Sequence, residues 1–252
     1  MRALRILIAL LIGGLGAAAP AADLVVDMSQ SEVEISTAFA GSNLLLFGAT
    51  EADGHVVVVV RGPLGVETVR RKERIAGIWI NREEVRFANA PAFYWIAASG
   101  PIESVLNEDQ RARFQIGIED LVLVPRDQRE FDPKVRAFRD ALVRNKQEQG
   151  LYQVDPSWVD FVGGQVFKGG RLFRTDIRFP ANVPLGVYII DVYLARDGVV
   201  SAERPRFIQV RKSGFEAAIF NFAHLNSFAY GLVAVFIAAS AGWLGSLAFR
   251  RS

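Results

Sequence analysis

The segment that most limits this chain is its closing run, SFAYGLVAVFIAASAGWLGSLAFRRS, from Ser227 to Ser252. No Asp, Glu, Lys or Arg occurs between Ala217 and Phe249. The most apolar part, about 22 residues from Phe228 to Phe249, makes ~33 Å of helix, enough to cross a bilayer's hydrocarbon core. Helices buried in soluble proteins rarely pass ~15 residues without a charge. The expectation is a transmembrane helix over 227–249.

The other end has a different grammar. MRALRILIALLIGGLGAAAPAAD carries Arg2 and Arg5, an apolar stretch from Ile6 to Leu15, then small residues. That is the layout of a signal peptide over 1–21, with Ala19-Pro20-Ala21 at the cleavage site; an uncleaved signal anchor is the alternative. Both export everything from Asp23 onward. Arg250 and Arg251 abut the C-terminal span, so the positive-inside rule puts residues 250–252 in the cytoplasm. The reading is a single-pass protein of a bacterial inner membrane, its N-terminal domain periplasmic.

Charge needs the same division. The whole chain is +2, but setting aside Arg2, Arg5, Arg250 and Arg251 leaves 25 basic side chains against 27 acidic ones, a balance of −2. The exported part has no net basic footprint for nucleic acid. Cysteine is absent, which removes disulfides, thiolate metal sites and Cys nucleophiles. A domain of ~190 residues buries enough surface to do without cross-links. There is no Asn-x-Ser/Thr sequon, and 24 arginines stand against 5 lysines. Both features fit a bacterial envelope protein.

Residues 24–99 read as short strands with turn punctuation: LVVDM, EVEIST, NLLLFGAT, HVVVVVRG, ETVRRKE, GIWIN, EVRFAN and AFYWIAAS. In EVEIST, Val33 and Ile35 face one way and Glu32 and Glu34 the other. Val56 to Val60 do not alternate, so that strand should be central and covered on both faces; exposed, it would aggregate. Helical character follows in PIESVLNEDQRARFQ, and LVLVP is a further strand. DPKVRAFRDALVRNKQEQG has Asp132 as N-cap, Pro133 at the first helical position, an apolar face of Val135, Phe138, Ala141 and Leu142, and Gly150 as its stop. Strands then return in GGQVFKGG, RLFRTDIRF and GVYIIDVYLARDG, the last turning at Asp197-Gly198, and in RPRFIQVRK.

The fold expected is mostly β: two small immunoglobulin-like β-sandwich lobes with intervening helices, plus one C-terminal transmembrane helix. The divisions are a first lobe with a helical insertion over 22–125, a linker helix over 126–150, a second lobe over 151–213 and a juxtamembrane segment over 214–226. In that segment Phe215, Ile219 and Phe222 suit either an interfacial amphipathic turn or an early start of the span.

The sequence supplies no catalytic constellation. The two histidines, His55 and His224, belong to no metal-ligand spacing, so no metal or cofactor is expected. No Gly-x-Ser-x-Gly elbow occurs. GGQVFKGGR spaces Gly164 and Gly169 like a phosphate loop, but no Lys-Ser/Thr follows, and no nucleotide is expected. The neighbours Glu83 and Glu84 point to opposite faces of a strand and cannot work as an acid-base pair.

Two features stand out. VRRKERIAGIWIN places Arg70, Arg71, Lys72 and Arg74 within five residues, followed by Trp79. It is a candidate surface for a partner or an anion, against the plainer reading of a charged edge strand that blocks aggregation. In the span, Ala234, Ala238, Ala241, Gly242, Gly245 and Ser246 share a side at 100° per residue, a candidate helix-packing face.

VEISTAFAGSNLLLFGA, VVVVVRGP, VRRKERIAGIWIN and FAHLNSFAYGLVAVFIAASAGWLGSLAFRR resemble a family of alphaproteobacterial single-pass transmembrane proteins. The resemblance covers nearly the whole mature chain and brings no catalytic residues to map. Its members are often encoded beside sulfite-exporter-type permeases, which implies an accessory role near a transporter. The first functional expectation is therefore a non-enzymatic accessory or assembly subunit, in contact with the lipid bilayer and a polytopic membrane protein. The second is a tethered module binding an envelope glycan or anion, with Trp79, Tyr94, Trp95 or Trp158 as stacking surfaces.

Overall fold

The computed structural model describes residues 24–249 apart from positions 38, 52, 76, 127–131, 155–158, 163–169, 214–218, 220 and 221. The expected signal peptide, the GGQVFKG part of the glycine-rich stretch with Gly164 and Gly169, Trp158, Phe215, Arg250 and Arg251 lie outside the described residues.

Alternation and turn chemistry make thirteen strands among the described residues, most of them in two sheets. The first sheet is antiparallel, in the order β1 (Leu24–Met28), β3 (Ser42–Thr50), β11 (Arg171–Phe179), β10 (Asp160–Val162). Leu44, Leu46, Phe173, Ile177 and Phe179 point inward and are buried, while Leu45, Phe47 and Leu172 face out. The imperfect alternation of RLFRTDIRF thus comes from Leu172 on the outer face and Thr175 on the inner one. A Cβ on Gly48 would collide with the Val25 carbonyl oxygen and the Phe173 ring, so glycine there lets the ring lie across the strand.

The second sheet runs β2 (Glu32–Ile35), β13 (Val199–Lys212), β12 (Gly186–Arg196), β4 (His55–Arg61), β7 (Tyr94–Ala98), β9 (Tyr152–Val154). Its outermost pairs, β2 with β13 and β7 with β9, are parallel; the others are antiparallel. Val56 to Val60 have no exposed surface at all, and β4 sits between β12 and β7, as five consecutive valines require. Asp197 and Gly198, at φ 51° and 79°, supply the two left-handed positions that close β12 onto β13. Arg211 ties the short edge strand down, donating to Glu32 at 2.7 Å and to Glu34 at 2.9 Å.

The lobe boundaries do not follow the sheets. β3 pairs with β11 along nine residues, and β4 pairs with β12, so strands from 22–125 and from 151–213 build the same two sheets. The cause is the valine strand. It needs a neighbour on each side, and the chain supplies β7 nearby and β12 from ~130 residues away. Phe93, Phe179 and Tyr188 pack ring on ring at 5.5 to 5.8 Å between β11 and β12, joining the sheets through one core.

Helices cover the remaining face of the second sheet. PIESVLNEDQRARFQ forms two helices rather than one: α1 (Ile102–Val105) and α2 (Glu108–Phe114). The break comes at Asn107, whose side chain accepts the Gln110 N–H at 2.9 Å and starts a new helix. Of LVLVP, only Val124–Pro125 is a strand, β8. Helix α3 (Pro133–Glu148) begins as its sequence asks, with the Asp132 carboxylate accepting the Lys134 N–H at 2.9 Å. It buries Val135, Phe138 and Leu142, and Gly150 at φ 68° ends it.

Candidate functional site

ETVRRKE and GIWIN-REEVRFAN extend into two long strands, β5 (Leu64–Ile75) and β6 (Ile78–Pro91), paired with each other and with β8 but, among the described residues, with no strand of the sandwich. They form a projecting arm. Its root is clamped: Gly62 N–H donates to Phe93 O at 2.8 Å, Ala92 N–H to Pro63 O at 2.9 Å, and the buried Tyr152 hydroxyl to Pro91 O at 2.8 Å. Its far end closes with two residues between Ile75 and Ile78, Gly77 taking φ 86°.

Along the arm the charges pair across strands. Arg70 meets Glu84 at 3.1 Å, Arg71 meets Glu83 at 3.7 Å, and Arg82 meets Glu73 at 3.0 Å. Glu83 also takes Lys134 of α3 at 3.5 Å. The arginine-rich stretch is therefore not an open anion cradle along its whole length: Arg70 and Arg71 already hold carboxylates. Lys72 and Arg74 lie nearer the tip and make no ion pair among the described residues; Arg74 Nε donates to Gly77 O at 3.3 Å. Register places Arg74 opposite Trp79 and Lys72 opposite Asn81, on one face. The other face of the tip holds Ile75 opposite Ile78, and Glu73 opposite Ile80. Trp79 is 65% exposed and Ile78 68%.

Between the arm and α3 lies a groove of about 510 Å³. Val69, Ala137, Phe138 and Ala141 make its apolar lining, and Arg70, Arg71, Lys134 and Arg144 contribute its cations. Lys146 fixes helix to arm, its Nζ donating to Glu67 Oε1 at 2.6 Å.

The polar interior is concentrated elsewhere. Arg61 pairs with Asp191 and donates to Phe114 O at 2.5 Å. Tyr94 donates its hydroxyl proton to Gln115 O and accepts the Gly117 N–H, both at 2.9 Å. Burial raises the Asp191 carboxyl above its ordinary range against the pull of Arg61, and pushes the Tyr94 phenol up to about 12. These groups fasten α2 and the following segment onto the sheet. His55 Nδ1 lies 3.2 Å from Ser99 Oγ, which accepts the Val56 N–H at 3.0 Å; this hydroxyl closes a strand end. Among the described residues no group of three His, Asp or Glu side chains converges on a metal position.

Two of the expected stacking surfaces are core residues. Tyr94 and Trp95 have no exposed surface, because β7 is covered on both sides. Trp79 keeps its exposure. The sequence reading missed the three tip isoleucines, the groove and the Arg61–Asp191 pair. A signal for the tip was present: apolar residues on both sides of a two-residue turn, where solvent-exposed turns are ordinarily polar.

The C-terminal apolar run is one helix, α4 (Ser227–Phe249), apolar enough over Ser227–Leu244 to cross a membrane and with none of that window buried against the rest of the chain. Ala234, Ala238, Ala241, Gly242 and Ser246 lie exposed on it, and Gly245 is within its span. Of the juxtamembrane residues, Ile219 and Phe222 are exposed, and the Phe222 ring meets Tyr230 at 6.1 Å.

A mostly β domain followed, among the described residues, by one apolar helix long enough to cross a membrane defines a class: β-rich proteins with a C-terminal candidate membrane span. The chain belongs to the family described as "Putative transmembrane protein (Alph_Pro_TM)", whose model matches residues 23–251. No curated protein matches it.

Proposed function

We propose that this protein is a non-enzymatic accessory or assembly subunit of a membrane complex, anchored in a bacterial inner membrane with its sandwich in the periplasm. Helix α4 docks on a polytopic partner, such as a transporter, through Ala234, Ala238, Ala241, Gly242, Gly245 and Ser246. The observation carrying this reading is that none of the Ser227–Leu244 window of α4 is buried against the described residues, while the helix offers a small-residue side to a neighbouring helix. Arg250 and Arg251 support the orientation, and the N-terminal Arg-apolar-Ala pattern supports a signal peptide over 1–21. The test is capture of a partner by in-cell crosslinking from native membranes, comparing the native span with a poly-leucine replacement. A specific polytopic protein held only by the native span supports docking; equal capture by both reduces α4 to a tether.

The groove favours a second reading, a tethered module for an anionic envelope ligand. Arg144 beside an apolar lining, with Arg70, Arg71 and Lys134 shared with Glu83 and Glu84, suits a ligand with both an acidic and a greasy part. This activity survives the poly-leucine exchange and is lost when Lys134 and Arg144 are changed to Ser.

A further inference from the structure

We infer that the tip of the β5–β6 arm beds in the headgroup layer of the membrane that α4 crosses, giving the domain a second contact with the lipid surface. The inference rests on the reading of α4 as a membrane span.

Two independent observations carry it. The first is the chemistry of the tip. Ile75, Ile78 and Ile80 on one face and Trp79 on the other are 41% to 68% exposed, at the end of an arm paired with no strand of the sandwich. Isolated exposed apolar residues are ordinary, but four around one turn leave a concentrated patch in water. Lys72 and Arg74 stand just behind it without ion pairs among the described residues, on the Trp79 face. Aliphatic residues at the end, an indole beside them and cations one step back match the depth profile of a bilayer surface: acyl boundary, interface, phosphates.

The second observation is where the arm starts. β13 ends at Lys212, the strand from which the chain proceeds to α4, and Gly186 pairs with Val210 two residues before that end. Gly186 abuts Pro63, the residue that begins the arm; a Cβ there would lie 2.8 Å from Pro63 Cγ. The arm therefore springs from the same end of the sheet at which the chain leaves for α4. An anchored chain holds that end near the bilayer at a high effective concentration, so weak surface affinity suffices to keep the tip engaged.

The experiment uses the full chain in nanodiscs of mixed phosphatidylcholine and phosphatidylglycerol. Because the protein has no cysteine, an environment-sensitive fluorophore attached at Ile78→Cys reports that position alone, with Glu203→Cys as the exposed sandwich control and Ala238→Cys as the span control. The expected result is a blue-shifted label at position 78, quenched by headgroup- and shallow-acyl-labelled lipid, while position 203 stays aqueous. Changing Lys72 or Arg74 to Ala lowers the inserted-to-aqueous ratio about fivefold each on the anionic discs. An aqueous label at 78 with an embedded label at 238 overturns the inference and leaves the anchor standing. Aqueous labels at both positions remove the membrane reading itself. Protection of position 78 in native membranes but not in pure lipid also overturns the inference, because the occupant is then a protein.

Discussion

The valine strand and the arm put the same backbone chemistry to opposite uses. β4 and the β5–β6 hairpin are both antiparallel ladders rich in apolar residues, yet Val56 to Val60 are wholly buried while Ile78 and Trp79 are about two-thirds exposed. What differs is coverage. β4 has a strand on either side, the first sheet on one face and α1–α2 on the other. Among the described residues the hairpin is backed by its own partner strand, the two-residue β8 and α3 beside its root. Pairing satisfies the backbone in both places, so hydrogen bonding does not separate them; removal of apolar surface from water does. Stability is therefore concentrated in the sandwich, and the arm's apolar tip stays exposed.

Charge insertion separates the two most sharply. Val58→Asp puts an unpaired carboxylate where no surface is exposed, costing more than about 5 kcal/mol, so the domain fails to fold. Ile78→Asp at the tip moves the unfolding midpoint within its ordinary scatter. Limited proteolysis and thermal unfolding of the detergent-solubilised chain measure both. A comparable loss from the tip variant would mean that the arm is part of the cooperative core.

The Arg61–Asp191 pair probes the seam where α2 meets the sheet. Asp191→Ala strands a guanidinium that is only 17% exposed, a loss of about 3–5 kcal/mol. Its pH behaviour has a definite sign. Burial raises the Asp191 pKa in the folded state, so the fold binds that proton more readily than the unfolded chain, and this group's contribution grows as pH falls through the raised pKa. Glu32 runs the other way: the Arg211 hydrogen bond lowers its pKa, so its hold on β2 is complete above about pH 4.5 and fades as pH falls through the lowered value. Hydrogen exchange read strand by strand between pH 3 and 7 should show β2 loosening first on acidification while β12 keeps its protection. Simultaneous loss would mean that the two strands unfold as one unit.

A smaller effect belongs to the hinge between sandwich and arm. Lys146 is 8% exposed and reaches Glu67 from the last turn of α3. Lys146→Ala leaves Glu67 without its partner at a cost of about 2 kcal/mol. Because the contact lies at the arm's root, protease access to β5 should rise more than access to β4.

How much of this was legible follows from the same contrast. Val56–Val60, the Asp132 cap and the Asp197-Gly198 turn were readable because each is decided by neighbours within a few residues. The β3–β11 and β4–β12 pairings were not, since strands ~130 residues apart carry no mark of their partner beyond a shared alternation, and a helix-bearing stretch between them looked like a boundary. Tyr94 and Trp95 misled for a related reason: an aromatic pair reads alike on a binding face and in a strand covered twice. The arm was recognised as charged but not as projecting, because exposure depends on what fails to pack against it.

The smallest stability effect tests the candidate surface most directly. Arg70→Ser and Arg71→Ser each break one exposed cross-strand pair, and such pairs contribute about 1 kcal/mol or less, so the unfolding midpoint should barely move. Arg74→Ser removes a cation beside Trp79 and no ion pair, so it too leaves the fold intact. If the stretch serves association, all three weaken capture of the crosslinked partner despite that stability, and Arg74→Ser does so most strongly, because its charge is not already held by a carboxylate. Equal losses from all three would place the contact along the whole arm rather than at its tip. Unchanged capture would reduce Arg70 and Arg71 to ladder charges that keep a long, solvent-exposed hairpin from pairing with its copies.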